Sequence, residues 1–580
     1  MPRNRFHYIT WGWMLLMLVL DVVFYRQRML GDASFYLFQV VNNEKFNIEH
    51  LRPISVVSQW IPLLLTYAQA PMQWIMVSYS FNEWLYFFLL FLILLYGLKD
   101  KGGVIALILM MIIINKENWY NPVSELIQGG PLLIVVISIF RREHLKWWHY
   151  VVSLFCLGII IQSHPLQFLL VPMMFGLLFI TEERPKWTKY LIVAGFTVAM
   201  VVIRYLQFDD YEKNPDSWSP LRLQELKFGP FVEYIIKHYF GFLVIWIAVI
   251  VYAYHRLSKF KALAAAGLVI GFTAFIVYKT GHLFMDNLEP FERYLFPLSV
   301  AVGWLFGVWV AERTDRIGKW SVLGILIVAL SVDTILLMTT RMRSVLARED
   351  RMNVWMTYLH QFPEQKFVQR NDHFYTRSYG HDWTILNETA LVSAHLFGGK
   401  HTQQLIPENA VDKKLITEAS EKPEVYFYSP WWLKEGITFN PHYFDFKPGK
   451  VRFLNTDSVQ GHLPDSFFHA IKIEAQFPYP MWRRMNNYIP VVIHNPHQTP
   501  IYSGHGKEQV NLSYSWEKDG KIIIRDGERT RLSADVIGSM PQEMKIKPPD
   551  QAGNYTLVLD LVYENKKWCG INARYDVKVW

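Results

Sequence analysis

Ionisable side chains collect at the ends of apolar runs in the first half of this sequence. Asp32 comes just after the first apolar run, and a polar cluster, Glu49-His50-Leu51-Arg52-Pro53, follows it. Ionisable groups at a membrane edge are costly, so they are candidates for function by default. His50 and Arg52 have side chains that can hold a phosphate group or sugar hydroxyls. The alternative is that they only anchor their loop.

The composition predicts that these residues belong to a membrane protein with a soluble part. Of 580 residues, 52% are hydrophobic, 16% aromatic and 19% charged, which is too apolar for an ordinary soluble chain. Long apolar runs fill the sequence to about residue 340, and the remainder is polar. The net charge of +8 comes mainly from short basic loops between apolar runs, the pattern of the positive-inside rule. No nucleic-acid partner is predicted.

The apolar runs predict a polytopic α-helical membrane protein of about eleven transmembrane helices with a cytoplasmic N-terminus. A spanning helix needs about 20 apolar residues, and roughly 17 is the lower limit. The run Ile54–Tyr67 is shorter and is predicted to lie on the outer membrane surface, with a kinked span as the alternative. The predicted spans are Trp11–Tyr25, Met72–Leu98, Val104–Ile114, Ile127–Phe140, Val151–Gln162, Leu166–Ile180, Leu191–Leu206, Phe231–Tyr254, Ala262–Tyr278, Phe291–Ala311 and Trp320–Met338.

We predict three domains: a transmembrane domain over 1–343, a periplasmic mixed α/β domain over 344–466 and an Ig-like β-sandwich over 467–580. Within the α/β domain, the pattern of Ile385–Leu391 predicts an amphipathic helix. In the sandwich, Val510–Trp516 alternates as a half-buried strand, and Asp519-Gly520 predicts a hairpin turn to the next strand.

Three further polar positions have two interpretations each. His164 lies in a very short turn between two apolar runs, and it either takes part in a site or hydrogen-bonds the backbone of its own turn. The pair Asp209-Asp210 is either a metal pair or an acidic solvated loop. Asp21, inside the first predicted span, is expected to pair with a polar group on another helix.

Two short motifs resemble the GT-C superfamily of membrane glycosyltransferases. In the first, Gly31-Asp32 opens an outer loop that leads through Arg52-Pro53 to the interfacial run ending at Tyr67. In the second, Glu292-Arg293-Tyr294-Leu295-Phe296-Pro297-Leu298 resembles the Arg-Tyr-Leu-Leu-Pro pattern of the branch that includes protein mannosyltransferases and the lipid A aminoarabinose transferase. The resemblance covers roughly residues 1–340.

The resemblance implies a reaction and roles for the motif residues. Enzymes of this kind take a sugar from a polyprenyl-phosphate carrier on the outer face of the membrane. Asp32 would be the catalytic general base that deprotonates an acceptor hydroxyl. Arg293 would bind the carrier phosphate, although a helix-end arginine can also simply snorkel. The full set of candidate substrate-binding residues is Glu49, His50, Arg52, His164, Glu292, Arg293 and Tyr294.

The implied function is therefore an inverting glycosyltransferase of the bacterial inner membrane, with its C-terminal domains in the periplasm. Its donor would be a polyprenyl-phosphate-linked sugar, and its acceptor a glycan, lipid or protein. No cofactor is certain from the sequence. A divalent metal is possible but not supported, because Asp32 has no close acidic partner in its loop. The region 467–580 resembles an accessory β-sandwich attached to bacterial glycosyltransferases and methyltransferases. The alternatives are a lipid-linked glycan flippase and a non-catalytic glycan-binding envelope assembly protein.

Overall fold

A computed structural model of the chain describes most of its residues. The described ranges are 4–29, 31–119, 125–213, 240, 243–255, 258–280, 296–311, 331–332, 335, 349, 352–369, 384–408, 411–456, 460–461, 463–477, 481–483, 486–504 and 509–580. The chain forms two compact units. The first unit comprises Met1–Met29, Glu44–Ala68 and Trp74–Met342, and the second comprises Leu30–Asn43, Gln69–Gln73 and Arg343–Trp580.

The described part of the first unit is helical. Its apolar runs form helices because leucine, isoleucine, methionine and alanine favour the helix and few polar groups interrupt them. Asp100 marks one helix start, because its side chain accepts a hydrogen bond from the backbone N–H of Gly103. The main helices of this unit are Asn4–Val23, Val56–Tyr67, Met72–Leu92, Lys101–Asn118, Glu125–Phe140, Trp147–Ser163, Gln167–Thr181, Trp187–Leu206, Asp210–Lys213, Leu243–His255, Lys259–Thr280 and Phe296–Leu305.

The predicted fold class, with eleven spans, is wrong. Among the described residues, only Met72–Gly97 and Trp187–Leu206 are long and apolar enough to cross a membrane, by length and composition. Several other apolar helices have 10–17 residues, and Glu125–Phe140 has 16. At about 1.5 Å per residue, such helices are shorter than a hydrocarbon core of about 30 Å. Counting apolar runs overestimated the spans, and the last predicted one, Trp320–Met338, lies largely outside the described residues.

The second unit begins with the helix Asp32–Asn43 and a small parallel sheet. Phe38 of this helix packs on Phe444, with ring centroids 4.8 Å apart. The helix also packs against Ile385–Phe397, which confirms that Ile385–Leu391 is helical. The predicted amphipathic character is wrong, because all residues of Ile385–Leu391 are buried, including the polar ones. The parallel sheet has the strand order Gln404–Pro407, Lys366–Gln369 and Val451–Phe453, and a separate hairpin pairs Val425–Ser429 with Trp432–Glu435.

Two antiparallel sheets complete the second unit. The predicted hairpin is confirmed: Val510–Lys518 pairs with Lys521–Ile524 across the turn at Asp519-Gly520. One sheet contains Thr530–Arg531, Val510–Lys518, Gly553–Tyr563, Lys567–Trp568, Ala573–Val579 and Lys521–Ile524, and the other contains Gly538–Ile546, Asn487–Asn495 and Lys472–Ala475. Inward residues of both sheets, such as Trp516 and Ile493, share one hydrophobic core with Phe367 of the parallel sheet. The parallel sheet and the two antiparallel sheets therefore share one core.

Lys366 is a buried cation at the start of the central parallel strand. Its Nζ donates to the carbonyl oxygens of Ala419 and Val425 at 2.8 Å and of Pro423 at 3.2 Å. Burial lowers the pKa of Lys366 to about 8, so the ammonium is still charged at pH 7. The lysine thus gathers carbonyl groups around the end of the helix Lys413–Glu421.

We expect Lys366→Met to lower the free energy of unfolding of the second unit by about 2–3 kcal/mol, because buried carbonyls lose their donor. Urea unfolding of the full chain, followed by circular dichroism, measures this loss. Lys414→Met is the matched control, since Lys414 is exposed on the helix Lys413–Glu421, whose end Lys366 contacts. Equal unfolding midpoints for the two variants would contradict the structural role of Lys366.

Candidate functional site

Two buried arginines of the first unit share one carboxylate. Arg52 donates from Nη2 to Glu212 Oε1 at 3.0 Å. Arg204 donates from Nη2 to both oxygens of Glu212, at 2.6 and 2.7 Å. The side chain of Arg204 is fully buried, and that of Glu212 is almost fully buried. Ion pairs between guanidinium groups and a buried carboxylate are strong because the local dielectric constant is low.

Separate segments supply the members of this cluster. Arg52 precedes the short helical turn Pro53–Ser55, and Arg204 lies in the last turn of Trp187–Leu206. Glu125 is the first residue of its helix, and its Oε2 lies 3.3 Å from Arg52 Nη1. Glu212 lies on the short helix Asp210–Lys213. We call Arg52, Glu125, Arg204 and Glu212 the arginine cluster.

His50 and Asp209 form a hydrogen-bonded pair at the edge of the arginine cluster. His50 Nδ1 donates to Asp209 Oδ2 at 2.5 Å, and both side chains are partly exposed. Asp209 Oδ1 accepts the backbone N–H of Glu212 at 2.9 Å, while Arg204 Nη2 donates to the backbone carbonyl of His50 at 2.8 Å. The pair is therefore connected to the cluster on both sides.

The backbone at His50 and Leu51 is strained. Both residues have positive φ angles, 51° and 55°. Left-handed backbone costs a residue with a side chain about 1–3 kcal/mol, so it persists only where neighbouring contacts impose it. The hydrogen bond from Arg204 to the His50 carbonyl is such a contact. Strain of this kind is found most often at functional sites.

Asp209 is held as a carboxylate. Partial burial raises the pKa of Asp209. Hydrogen bonds from His50 and from the backbone of Glu212 lower the pKa, as do the charges of His50 and Arg52, and the net result is a pKa below the ordinary value. Because an aspartate ordinarily titrates near pH 4, Asp209 remains an acceptor for His50 across the physiological range. Because the Asp209 carboxylate accepts a hydrogen bond from Nδ1 of His50, it keeps a proton on that nitrogen.

The other predicted site residues fall in different places. Asp32 is the first residue of the helix Asp32–Asn43 and belongs to the second unit. Glu49 accepts a hydrogen bond from the Asn47 side chain at 3.0 Å. His164 Nδ1 accepts the backbone N–H of Leu166 at 3.1 Å, which is the turn interpretation of that histidine. The motif residues Glu292, Arg293 and Tyr294 lie outside the described residues.

Sequence reasoning missed most of the arginine cluster. Arg204 was counted as part of an apolar span, and Glu125 and Glu212 were not among the candidate site residues. The available signal was a lone arginine near the end of an apolar run, closely followed by three acidic residues, Asp209, Asp210 and Glu212. A buried charge needs a partner, so these residues could have been paired from the sequence.

A second buried ionic cluster lies elsewhere in the first unit. Asp21 Oδ1 is 2.8 Å from Arg28 Nη1 and accepts a hydrogen bond from Trp119 Nε1 at 3.0 Å. Arg28 Nη2 also donates to Glu83 Oε2 at 2.7 Å. The expected polar partner of Asp21 is thereby identified. We treat this cluster as structural, because none of the predicted site residues takes part in it.

The arginine cluster has the donor chemistry of an anion site. Within the described part of the chain, Nε and Nη1 of Arg204 are buried and have no hydrogen-bond acceptor. Buried guanidinium N–H groups without acceptors are costly, and an oxyanion is their natural ligand. Among the described residues, no three His, Cys, Asp or Glu side chains lie close enough together to hold a metal ion.

We expect Glu212→Gln to destabilise the first unit by about 3 kcal/mol, because it leaves two buried guanidinium groups without their shared charge. Thermal unfolding of the full chain in detergent tests this. Asp210→Asn is the control, since Asp210 is exposed on the same short helix. A Glu212→Gln protein that unfolds at the same temperature as the control would show that the cluster is not held by this carboxylate.

Comparisons with known proteins bring no relative to this site. No protein-family model, no curated protein and no solved structure matches the chain. The resemblance of the two short motifs to the GT-C superfamily stays a prediction.

Proposed function

We propose that this protein is a membrane glycosyltransferase that moves a sugar from a polyprenyl-phosphate carrier to an extracytoplasmic acceptor. One observation carries the proposal: two buried arginines, Arg52 and Arg204, share Glu212, and two nitrogens of Arg204 have no acceptor among the described residues. This arrangement suits a phosphate group in a setting of low dielectric constant. The acceptor is a glycan, a lipid or a protein.

The guanidinium group explains the choice of ligand. Its planar fork of N–H donors matches the oxygens of a phosphate, and it stays charged at any physiological pH. Arg204 Nη2 is committed to Glu212 and to the carbonyl of His50, so Nε and Nη1 are the donors available for a phosphate. The guanidinium carbon of Arg204 also lies 5.3 Å from the centroid of the Phe208 ring, which adds a cation–π contact.

The proposed reaction makes use of this charge. The acceptor hydroxyl attacks the anomeric carbon, its oxygen forms the new glycosidic bond, and the bond from that carbon to the carrier phosphate breaks. Negative charge builds up on the leaving phosphate, and preorganised guanidinium donors stabilise that charge. The hydroxyl proton passes to a base, and the product is an inverted glycoside with free polyprenyl phosphate.

Asp32 is the base in this proposal, the role that the family resemblance implies. It begins the helix Asp32–Asn43 directly after Gly31, whose φ of 54° turns the chain into the helix. Backbone N–H groups at a helix start interact favourably with a carboxylate, which suits the position of Asp32 as the first residue of its helix.

A membrane location is supported by the outward side of the first unit. Apolar side chains such as Leu191 and Val198 are 67% and 64% exposed, while the charged Lys189 and Arg204 on the same helix are buried. That distribution is the reverse of a soluble surface and suits contact with lipid. We propose the bacterial inner membrane, with the polar C-terminal region outside the cytoplasm.

We expect Asp32→Asn to reduce sugar transfer at least about 100-fold, because a positioned general base contributes that much or more. The test is a mass spectrum of cell-envelope glycans from cells that lack the chain and carry either the original sequence, Asp32→Asn or Asp210→Asn. Only the Asp32 variant should lose the glycan that the original chain restores.

Two outcomes would count against the proposal, in different ways. A glycan profile that does not change when the chain is removed would reject the transferase function. The glycan profile can also depend on the chain and yet be fully restored by Asp32→Asn. That result would support the transferase function and reject Asp32 as its base. Thermal unfolding of the purified variant shows whether it is folded.

A further inference from the structure

Three helices of the first unit start with a lysine followed by an aromatic residue. The pairs are Lys146-Trp147, Lys186-Trp187 and Lys259-Phe260. All six side chains are exposed, and those of Trp147, Trp187 and Phe260 are 76%, 65% and 80% exposed. We call these six residues the lysine–aromatic rim. Single exposed apolar residues are common on proteins, but the same exposed pair at three helix starts indicates an interaction surface.

Hydrogen bonds between loops bring the three helix starts to one end of the first unit. Lys186 Nζ donates to the backbone carbonyl of Glu143 at 3.2 Å, which connects the second start to the loop before the first. Lys261 Nζ donates to the backbone carbonyl of Glu182 at 2.5 Å, which connects the third start to the loop before the second. The rim is therefore one surface built from three loops.

Positive charge predominates among the described residues of these loops. Arg141 is paired with Asp100, and Lys189 is paired with Glu182. The exposed charged side chains of the loops are the cations Arg142, Lys146, Arg184, Lys186 and Lys259 and the anions Glu143 and Glu183. A ligand that complements this surface carries negative charge.

The rim lysines keep hydrogen-bond donors for such a ligand. An ammonium group has three N–H donors, and the bond from Lys186 to the Glu143 carbonyl uses one of them. Lys259 Nζ lies 5.5 Å from the centroid of the Tyr254 ring, a cation–π contact that occupies a ring face and no acceptor atom. Both lysines are exposed, so an anion can approach them from outside.

Exposed apolar side chains continue from the rim along each of the three helices. They are Val151, Val152 and Phe155 on the first helix, Leu191, Ile192, Val198 and Val202 on the second, and Leu263 and Ile270 on the third. Each helix therefore presents a lysine, then an aromatic ring, then an apolar surface, in the same order.

A lipid bilayer accounts for this repeated order. It is layered, with charged headgroups outermost, an interface that tryptophan favours, and hydrocarbon beneath, and every helix that enters it meets these layers in that sequence. Lysines near helix ends reach the headgroups by extending along the apolar surface. A protein partner has no such layers, so it gives no reason for the same order on three separate helices.

We propose that the lysine–aromatic rim binds the headgroups of anionic phospholipids, with its aromatic side chains in the membrane interface. Clustered basic residues beside membrane helices recognise acidic lipids, because headgroup phosphates accept hydrogen bonds from ammonium groups and a net negative headgroup is preferred over a zwitterionic one. The inference rests on the membrane location proposed above but not on sugar transfer. Arg204 of the arginine cluster lies in the last turn of the helix that Trp187 begins, at the opposite end from the rim.

The test is native mass spectrometry of the full chain released from nanodiscs that contain phosphatidylglycerol and phosphatidylcholine at equal mole fractions. We expect the original chain to retain phosphatidylglycerol preferentially. The double variant Lys146→Gln/Lys186→Gln should lower that preference about 25-fold, since each lysine near an anionic surface contributes about fivefold. The double variant Lys518→Gln/Lys521→Gln is the matched control, because both of its lysines are exposed in the second unit.

A second measurement does not depend on the lysine variants. Phosphatidylglycerol brominated in its acyl chains should quench the part of the tryptophan fluorescence that is lost in Trp147→Phe. Absence of that quenching would overturn the proposal, because the rim would then lie outside the bilayer. Equal retention of the two lipids by the original chain, or an undiminished preference in the Lys146→Gln/Lys186→Gln variant, would overturn it as well.

One further variant separates the rim from the arginine cluster. Arg204→Gln should keep the preference for phosphatidylglycerol, and its loss in this variant would overturn the proposal by placing the selectivity at the arginine cluster. A glycan profile that does not depend on the chain, together with an intact lipid preference, would reject the proposed function and support the rim as a surface for anionic lipids.

Discussion

The carboxylate that Glu212 shares between Arg52 and Arg204 is the constraint on which the candidate site depends. Two guanidinium groups do not remain buried near each other without anionic partners, since the cost of desolvating them is several kcal/mol each. Glu212 meets both, and Glu125 adds a second carboxylate. These ion pairs hold together segments that are far apart in the sequence. They also leave Nε and Nη1 of Arg204 buried without an acceptor among the described residues.

The strained turn at His50 follows from the same cluster. Arg204 holds the His50 carbonyl, Asp209 holds the imidazole, and Glu212 holds Asp209 through its backbone N–H. A left-handed backbone at two successive residues is tolerated because these contacts act together. The second unit has a comparable buried cation in Lys366, but there the partners are neutral carbonyl groups, which suits a structural role.

Local patterns in the sequence predicted local structure well. The alternation in Val510–Trp516 and the turn at Asp519-Gly520 gave the correct strand and hairpin, because strand period and turn chemistry are properties of neighbouring residues. The pattern of Ile385–Leu391 gave the correct helix for the same reason. The number of spans was wrong, because hydropathy identifies an apolar run without showing where its helix begins and ends.

The site depended on contacts that no local pattern contains. His50 and Arg52 were predicted as site residues, but their partners Asp209, Glu125 and Glu212 lie 73 or more residues away. Likewise, the helix Asp32–Asn43 was placed in the first loop, yet Asn42 Oδ1 accepts the backbone N–H of Asn440 within the second unit. Pairings across such distances are decided by burial and charge in the folded chain.

Lipid binding by the purified chain tests the central claim most directly. Native mass spectrometry would compare the binding of undecaprenyl phosphate with the binding of the uncharged polyprenol. The proteins compared are the original chain, Arg204→Gln and a control, Arg142→Gln, in which the substituted arginine is exposed. The account predicts that the original chain and the control bind one undecaprenyl phosphate in preference to polyprenol, and that Arg204→Gln loses this preference. Equal binding of both lipids by the original chain, or an undiminished preference in Arg204→Gln, would contradict the arginine cluster as a phosphate site.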